Sequence, residues 1–409
     1  MQFVSLTGSW ITTAANAWLI YELTGKNLFL GLSAFCAQVP TFLVAPFAGV
    51  LVDRWNLRRT LLLTQSASAA QSALLAVLAW TGVLGGLTMV AGILALQLLQ
   101  GLINAIDLPA RQSFAIQMVD RREDLPNAIA LNSMIVNLSR FAGPALAGLV
   151  LAAGATYGSA LTGPAVCYSL DACSYAGVLL ALYWMSPRET ARTPKGTRYL
   201  AELGAGVSYI RNNVVLRTAL LAMCATSFLG VSFNSQLASV AKSHLGVGPA
   251  GYGYLFASVG VGATLSALFL ATRRTIGGLP RLIAGASMVL PVTLLALSFT
   301  RSYSVAVGLV GVMGAAMIMQ SASTNTLCQT LAGDAMRGRV MSFFTMSFMG
   351  TVPLGALAVG LLAERLGIAW TLRAGGVALL VASVVFGRRL WWVGCKESIA
   401  GGLGGGGRN

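Results

Sequence analysis

The sequence has little charge and almost none of the residues that carry catalysis. Only 10% of its 409 residues are Asp, Glu, Lys or Arg; there are 12 acids and a single histidine, His244. Enzymatic chemistry built on clustered acids, histidines or a metal set has too few parts to work with, so no catalytic residue, metal site or cofactor is expected. His244 stands beside Lys242 and reads as a solvated surface residue rather than a proton relay. Six cysteines (Cys36, Cys167, Cys173, Cys224, Cys328 and Cys395) are scattered without a CxxC pair. Their spacing excludes a disulfide framework and leaves small buried hydrophobes. No nucleotide-binding motif exists: the glycine-rich stretch 401–407 carries no Lys-Ser/Thr and reads as a flexible end. Met1-Gln2-Phe3-Val4 lacks a basic lead and no small-residue cleavage site follows, so the first apolar stretch should stay in the protein.

What is abundant is apolar. With 56% hydrophobic residues and a mean hydropathy of +0.75, a soluble fold is excluded. A helix crossing a bilayer core of about 30 Å needs roughly 20 apolar residues. Residues 60–106 contain no charge at all, which fits two spans with a turn at Thr81-Gly82-Val83-Leu84-Gly85-Gly86. The same reading places spans near 1–21, 28–52, 60–81, 87–107, 128–152, 162–185, 217–241, 250–272, 282–300, 304–331, 340–363 and 368–387. The expected fold is therefore an all-α membrane protein, with twelve transmembrane helices in two six-helix halves. The halves should be 1–185 and 217–390, joined by a polar linker, 186–216, and followed by a flexible tail, 391–409. The second part of the linker should form a surface helix with Tyr199, Leu200, Leu203, Val207 and Ile210 toward lipid. Parallel halves also show as a faint repeat: residues 131–150 and 340–359 share Ser133 with Ser342, Pro144 with Pro353 and Ala147 with Ala356.

Charge placement gives an orientation. Of 27 Lys and Arg, 21 lie in the loops after even-numbered spans and in the C-terminal tail, five lie on the opposite side, and Arg140 lies inside a span. The positive-inside rule puts the basic face, and with it both termini, in the cytoplasm of a bacterial cell. The net charge of +15 then needs no nucleic acid, because anionic lipid headgroups beside the basic loops account for it.

Motifs sharpen the picture. Gly49-Val50-Leu51-Val52-Asp53-Arg54-Trp55-Asn56-Leu57-Arg58-Arg59, at the second-to-third span junction, resembles the signature loop of the major facilitator superfamily. Residues 104–112 (Asn104-Ala105-Ile106-Asp107-Leu108-Pro109-Ala110-Arg111-Gln112), residues 124–132 and Arg337-Gly338-Arg339-Val340-Met341-Ser342 are similar to its drug and siderophore exporter branch, which includes the enterobactin exporter and macrolide efflux proteins. Asn137 to Pro144 resembles the antiporter motif of the fifth span. The resemblance covers essentially the whole chain. It implies export driven by an ion gradient, usually protons. It also implies that Asp53 meets the start of the eleventh span in one transport state, and that the first helix could begin upstream of Met1. One departure stands out: Gln97 occupies the place, four residues before Gly101, where the family often carries Arg, so coupling through that Arg is not available.

Amides supply a signal independent of family. The first, fourth, seventh and tenth spans hold ten Asn and Gln, and the other eight hold five. Amides are costly in hydrocarbon without partners or water, so these helices should share a wet interior. Asn16, Gln97, Gln100, Asn104, Asn234, Gln320 and Asn325 are the candidate substrate contacts, with Trp10 or Trp18 as stacking surfaces. Arg140 and Asp171, at similar depths, should pair across the fifth and sixth spans and are the candidates for proton coupling. Gly49, Asp53, Arg54, Arg58, Arg59, Asp107 and Arg111 should form a latch on the basic face, and Gly143-Pro144 should act as a hinge. The expected function is export of a drug-like compound or siderophore by proton antiport, with a proton-coupled uptake symporter as the alternative. The expected assembly is a monomer with a small-molecule substrate, a coupling proton and the lipid bilayer as partners.

Overall fold

The computed structural model describes residues 2–52, 55–117, 125–184, 199–273 and 277–404, and among these it is helical with no strand. Helices α1 (Gln2–Thr24), α2 (Asn27–Val52), α3 (Leu57–Thr81), α4 (Gly86–Gln117), α5 (Leu125–Tyr157) and α6 (Thr162–Trp184) precede a shorter α7 (Tyr199–Asn212). Then follow α8 (Val214–Leu229), α9 (Pro249–Thr272), α10 (Leu279–Phe299), α11 (Tyr303–Leu331), α12 (Asp334–Thr345, continued by Thr351–Leu366) and α13 (Ile368–Gly404). Setting α7 aside, these are the twelve spans. Eleven are long and apolar enough to cross a membrane. The exception in composition is α1, whose Ser5, Thr12 and Asn16 are nevertheless buried among its neighbours, which satisfies polar groups that lipid would not.

Local chemistry sets the ends. Asn56 caps α3 by accepting the Arg59 N–H at 3.1 Å. Gly82 closes α3 in the left-handed region at φ 60°, where a side chain would be strained. The turn expected within the long uncharged run therefore falls where its glycines stand. Asn213 caps α8 through the Leu216 N–H at 3.1 Å.

Two spans are irregular. Helix α8 stops at Gly230 and passes through a 3₁₀ segment, Val231–Gln236, and a π-turn, Val240–His244. In α12 a π-turn, Met346–Gly350, joins the two helical parts. By contrast, α5 runs unbroken through Gly143-Pro144. A Cβ on Gly143 would lie 2.4 Å from Trp10 Cβ and 2.9 Å from the Thr7 carbonyl, so this glycine serves close packing of α5 on α1.

The chain divides into two compact units, Met1–Lys195 with Ser235–Gly260, and Gly196–Asn234 with Val261–Asn409. In the first unit, α9 touches α5 backbone to backbone: a Cβ on Gly148 would sit 2.6 Å from Gly253 Cα. Glu22 and Lys242 pair at 2.7 Å, and Tyr21 bonds Ser243. In the second unit, α7 lies on the starts of α8 and α12. Tyr209 donates to the Leu331 carbonyl at 3.2 Å, and Tyr209 and Ile210 pack on a core of Leu216, Leu220, Met223, Cys328, Val340 and Phe344. Only part of the expected apolar face of α7 therefore points outward: Val207 is 50% exposed, whereas Ile210 is spent on protein.

Three further expectations are corrected. His244 is buried, because the π-turn rotates it inward instead of leaving it on a solvated surface. Cys173 is exposed rather than buried. The segment expected as a free tail is helical as far as Gly404, since extending a formed helix costs far less than starting one. Arg281, over the Trp391 ring at 5.9 Å, ties this last helix to α10.

Candidate functional site

Polar residues of the first unit line up along α3. Thr64, Ser68 and Ser72 recur every four residues and so share one face. Gln65 and Thr64 each donate to Asp107 Oδ1 at 2.7 Å. Arg111 donates to Asp107 Oδ2 through Nε at 3.1 Å and Nη2 at 2.6 Å. A carboxylate only 3% exposed thus accepts four hydrogen bonds and faces a cation one helical turn away, which meets the requirement for burying a charge. Two turns earlier on α4, Gln100 Nε2 donates to Ser68 Oγ and to Asn104 Oδ1, both at 3.1 Å. Gln97 Oε1 accepts from Ser33 Oγ at 2.8 Å, so the residue standing where the family often has Arg is tied to α2.

Asp171 sits deeper in the bundle, where its Oδ2 accepts from Thr12 and from Ser72, both at 2.8 Å. Its Oδ1 is buried with no partner among the described residues. The expected ion pair with Arg140 does not form: Arg140 instead lies over the Trp10 ring, 5.3 Å from its centroid. The reason is the helix between them. Gly8 and Thr12, one turn apart, face Asp171, whereas Trp10 is turned from each by about 200° at 3.6 residues per turn. Equal depth on adjacent helices could not reveal that α1 would intervene.

The amides fall into two kinds. Asn16 is buried with its Oδ1 held by the Tyr168 hydroxyl at 2.8 Å, an arrangement internal to the bundle. In the second unit, Gln320 Nε2 donates to Thr226 Oγ1 at 2.9 Å, Asn234 Nδ2 contacts Met317 Sδ at 3.6 Å, and Asn325 Oδ1 accepts from Gln329 at 2.7 Å. Gln320 Oε1, Asn234 Oδ1 and Gln100 Oε1 are buried and lack a partner among the described residues. Buried acceptors left open in this way call for water or a solute.

The expected latch changes. Asp53 and Arg54 lie outside the described residues. Gly49 stands near the end of α2, and Arg59 is exposed at the start of α3. Arg58 is drawn elsewhere: its Nε donates to the Leu182 carbonyl at 2.8 Å and its Nη2 to the Tyr183 carbonyl. It thus caps the C-terminus of α6, where carbonyls have no helical partner and a cation is favoured. Sequence signals missed this role, as they missed Thr64, Gln65, Ser68 and Ser72. The four-residue spacing of α3 hydroxyls was the available clue.

The sequence model of the transmembrane secretion effector family matches residues 1–392. The chain is 25% identical over 405 residues to the staphyloferrin A transporter of Staphylococcus aureus, covering 94% of this chain and 93% of that protein. It is also 25% identical over 391 residues to the multidrug efflux pump Tap of Mycolicibacterium fortuitum, covering 94% and 93%. Among solved structures, the nucleoside transporter NupG superposes with a TM-score of 0.71 at 15% identity, over 95% of this chain and 97% of that one.

Proposed function

We propose an exporter, starting from the fact that this chain belongs to the transmembrane secretion effector family, in the drug and siderophore exporter branch of the major facilitator superfamily. It is a multi-pass membrane transporter of small molecules. In our reading its basic face is cytoplasmic, its substrate is a drug-like compound or siderophore, and outward transport is exchanged for protons by alternating access. The names of the two relatives, a siderophore transporter and an efflux pump, support this substrate class.

The observation that carries the coupling is Asp171. It is a carboxyl group inside the bundle whose Oδ1 has no partner among the described residues and whose expected cationic partner, Arg140, is placed elsewhere. Gaining a proton relieves the cost of a buried charge, and losing it to water restores that cost, so the group can follow an imposed gradient. The open amide oxygens of Gln100, Asn234 and Gln320 are the proposed substrate contacts. Asp53 and Arg54 remain the proposed latch on the basic face.

Flux in everted vesicles tests this, with ethidium as the probe. Accumulation driven by an acidic lumen and abolished by an uncoupler is expected of proton-antiport export. Accumulation only in right-side-out vesicles with acid outside indicates the uptake symporter instead.

A further inference from the structure

Arg140 carries a charge inside the apolar span of α5, residues 134–157, and pairs with no acid among the described residues. Of the 12 acids in the sequence, three fall within the apolar spans, and one of these, Glu364, stands in the last turn of α12. Asp107 is committed to Arg111, Thr64 and Gln65. Asp171 is held by Thr12 and Ser72 on the far side of α1. The Nε of Arg140 is buried with no partner among the described residues.

The surroundings are built to hold it without neutralising it. Trp10 lies beneath the guanidinium at 5.3 Å, and Phe256 meets Trp10 edge-on at 6.1 Å. Gly260 lets α9 approach the Arg140 backbone, where a Cβ would come within 2.9 Å of the Arg140 carbonyl carbon. A guanidinium lying over a ring spends its face and keeps its planar N–H edge, the edge that forks onto a carboxylate. The residue as a whole is only partly buried.

We propose that Arg140, on its Trp10 and Phe256 platform, is an anion subsite that takes a carboxylate group of the transported molecule. The inference rests on the export reading and adds compounds bearing at least one carboxylate to the substrates that the transporter takes. The substrate's negative charge then supplies a counter-charge that no described residue gives Arg140.

The test is ligand-dependent thermal unfolding of the purified protein with two acid–ester pairs: citrate with its trimethyl ester, and 4-phenylbutyrate with its methyl ester. A ligand that binds the folded state raises its melting temperature. At least one acid should stabilise the wild type more than its ester does. Arg140→Gln should abolish that difference, and Arg140→Lys, which keeps the charge but loses the fork, should weaken acid binding at least about threefold. If Arg140→Gln does not fold, Arg140→Lys decides. A wild type that does not distinguish acid from ester in either pair overturns the subsite, as does an unchanged preference in the variants. Binding is read here without flux, so its failure leaves export standing, whereas absence of gradient-driven ethidium accumulation refutes export and leaves the subsite untouched.

Discussion

Thr12 donates its hydroxyl hydrogen to Asp171 at 2.8 Å, while Arg140 lies over Trp10, two residues earlier on the same helix. The body of α1 thus separates the opposite charges that depth alone would pair. Asp171→Asn can keep both hydroxyl bonds through its amide oxygen but cannot exchange a proton. It should abolish gradient-driven accumulation in vesicles at normal membrane levels of protein. Full transport by this variant would return Asp171 to a structural role.

The Asp107–Arg111 pair should be felt in stability first. Removing Arg111 leaves a buried carboxylate with two neutral donors, so Arg111→Met should cost about 1–3 kcal/mol. A double-mutant cycle with Asp107→Asn, read by denaturation in detergent, should give a coupling near or above about 1 kcal/mol. Additive effects would leave the pair no part in holding α4.

Close helix approach makes its own prediction. Gly253→Ala drives a methyl group against Gly148 Cα, 2.4 Å from the new Cβ, and should destabilise by about 1–3 kcal/mol. Gly285→Ala, with nothing within 4 Å of its new Cβ, should be neutral or slightly stabilising. Equal melting temperatures for the two variants would contradict the packing of α5 on α9.

Amides should separate by what they bond. Asn16→Ala strands the Tyr168 hydroxyl in the bundle and should lower stability by roughly 1–3 kcal/mol. Gln320→Ala and Asn234→Ala should instead alter the spectrum of exported compounds at normal protein levels. A resistance profile unchanged in both variants would remove these two residues from the substrate path.

For the latch, Asp53→Asn is the informative change, since it removes no positive charge and so preserves orientation. Transport should fall sharply, with faster labelling of cysteines introduced near Asn325 from the basic face. Normal flux with unchanged labelling would leave Arg54 and Arg59 as topology signals alone.

Much of this was legible in the sequence because it depends on local composition. Whether some twenty residues can lie in hydrocarbon is a property of those residues, so the spans, the helical fold and the glycine turn at Gly82 could be read directly. The motif loop from Gly49 to Arg59 likewise identified the family, and the i,i+4 spacing of Asp107 and Arg111 made their pairing a matter of helical geometry. Which neighbour a side chain meets is a different question. Arg58 reached the carbonyls that end α6, Asn16 met Tyr168, and Arg140 turned to Trp10, because the rotation of each helix about its axis is set by packing against several others at once. Spacing along one helix fixes which residues share a face. Only the assembled bundle decided what each face looks at, and it left Arg140 on an aromatic platform with no carboxylate paired to it among the described residues.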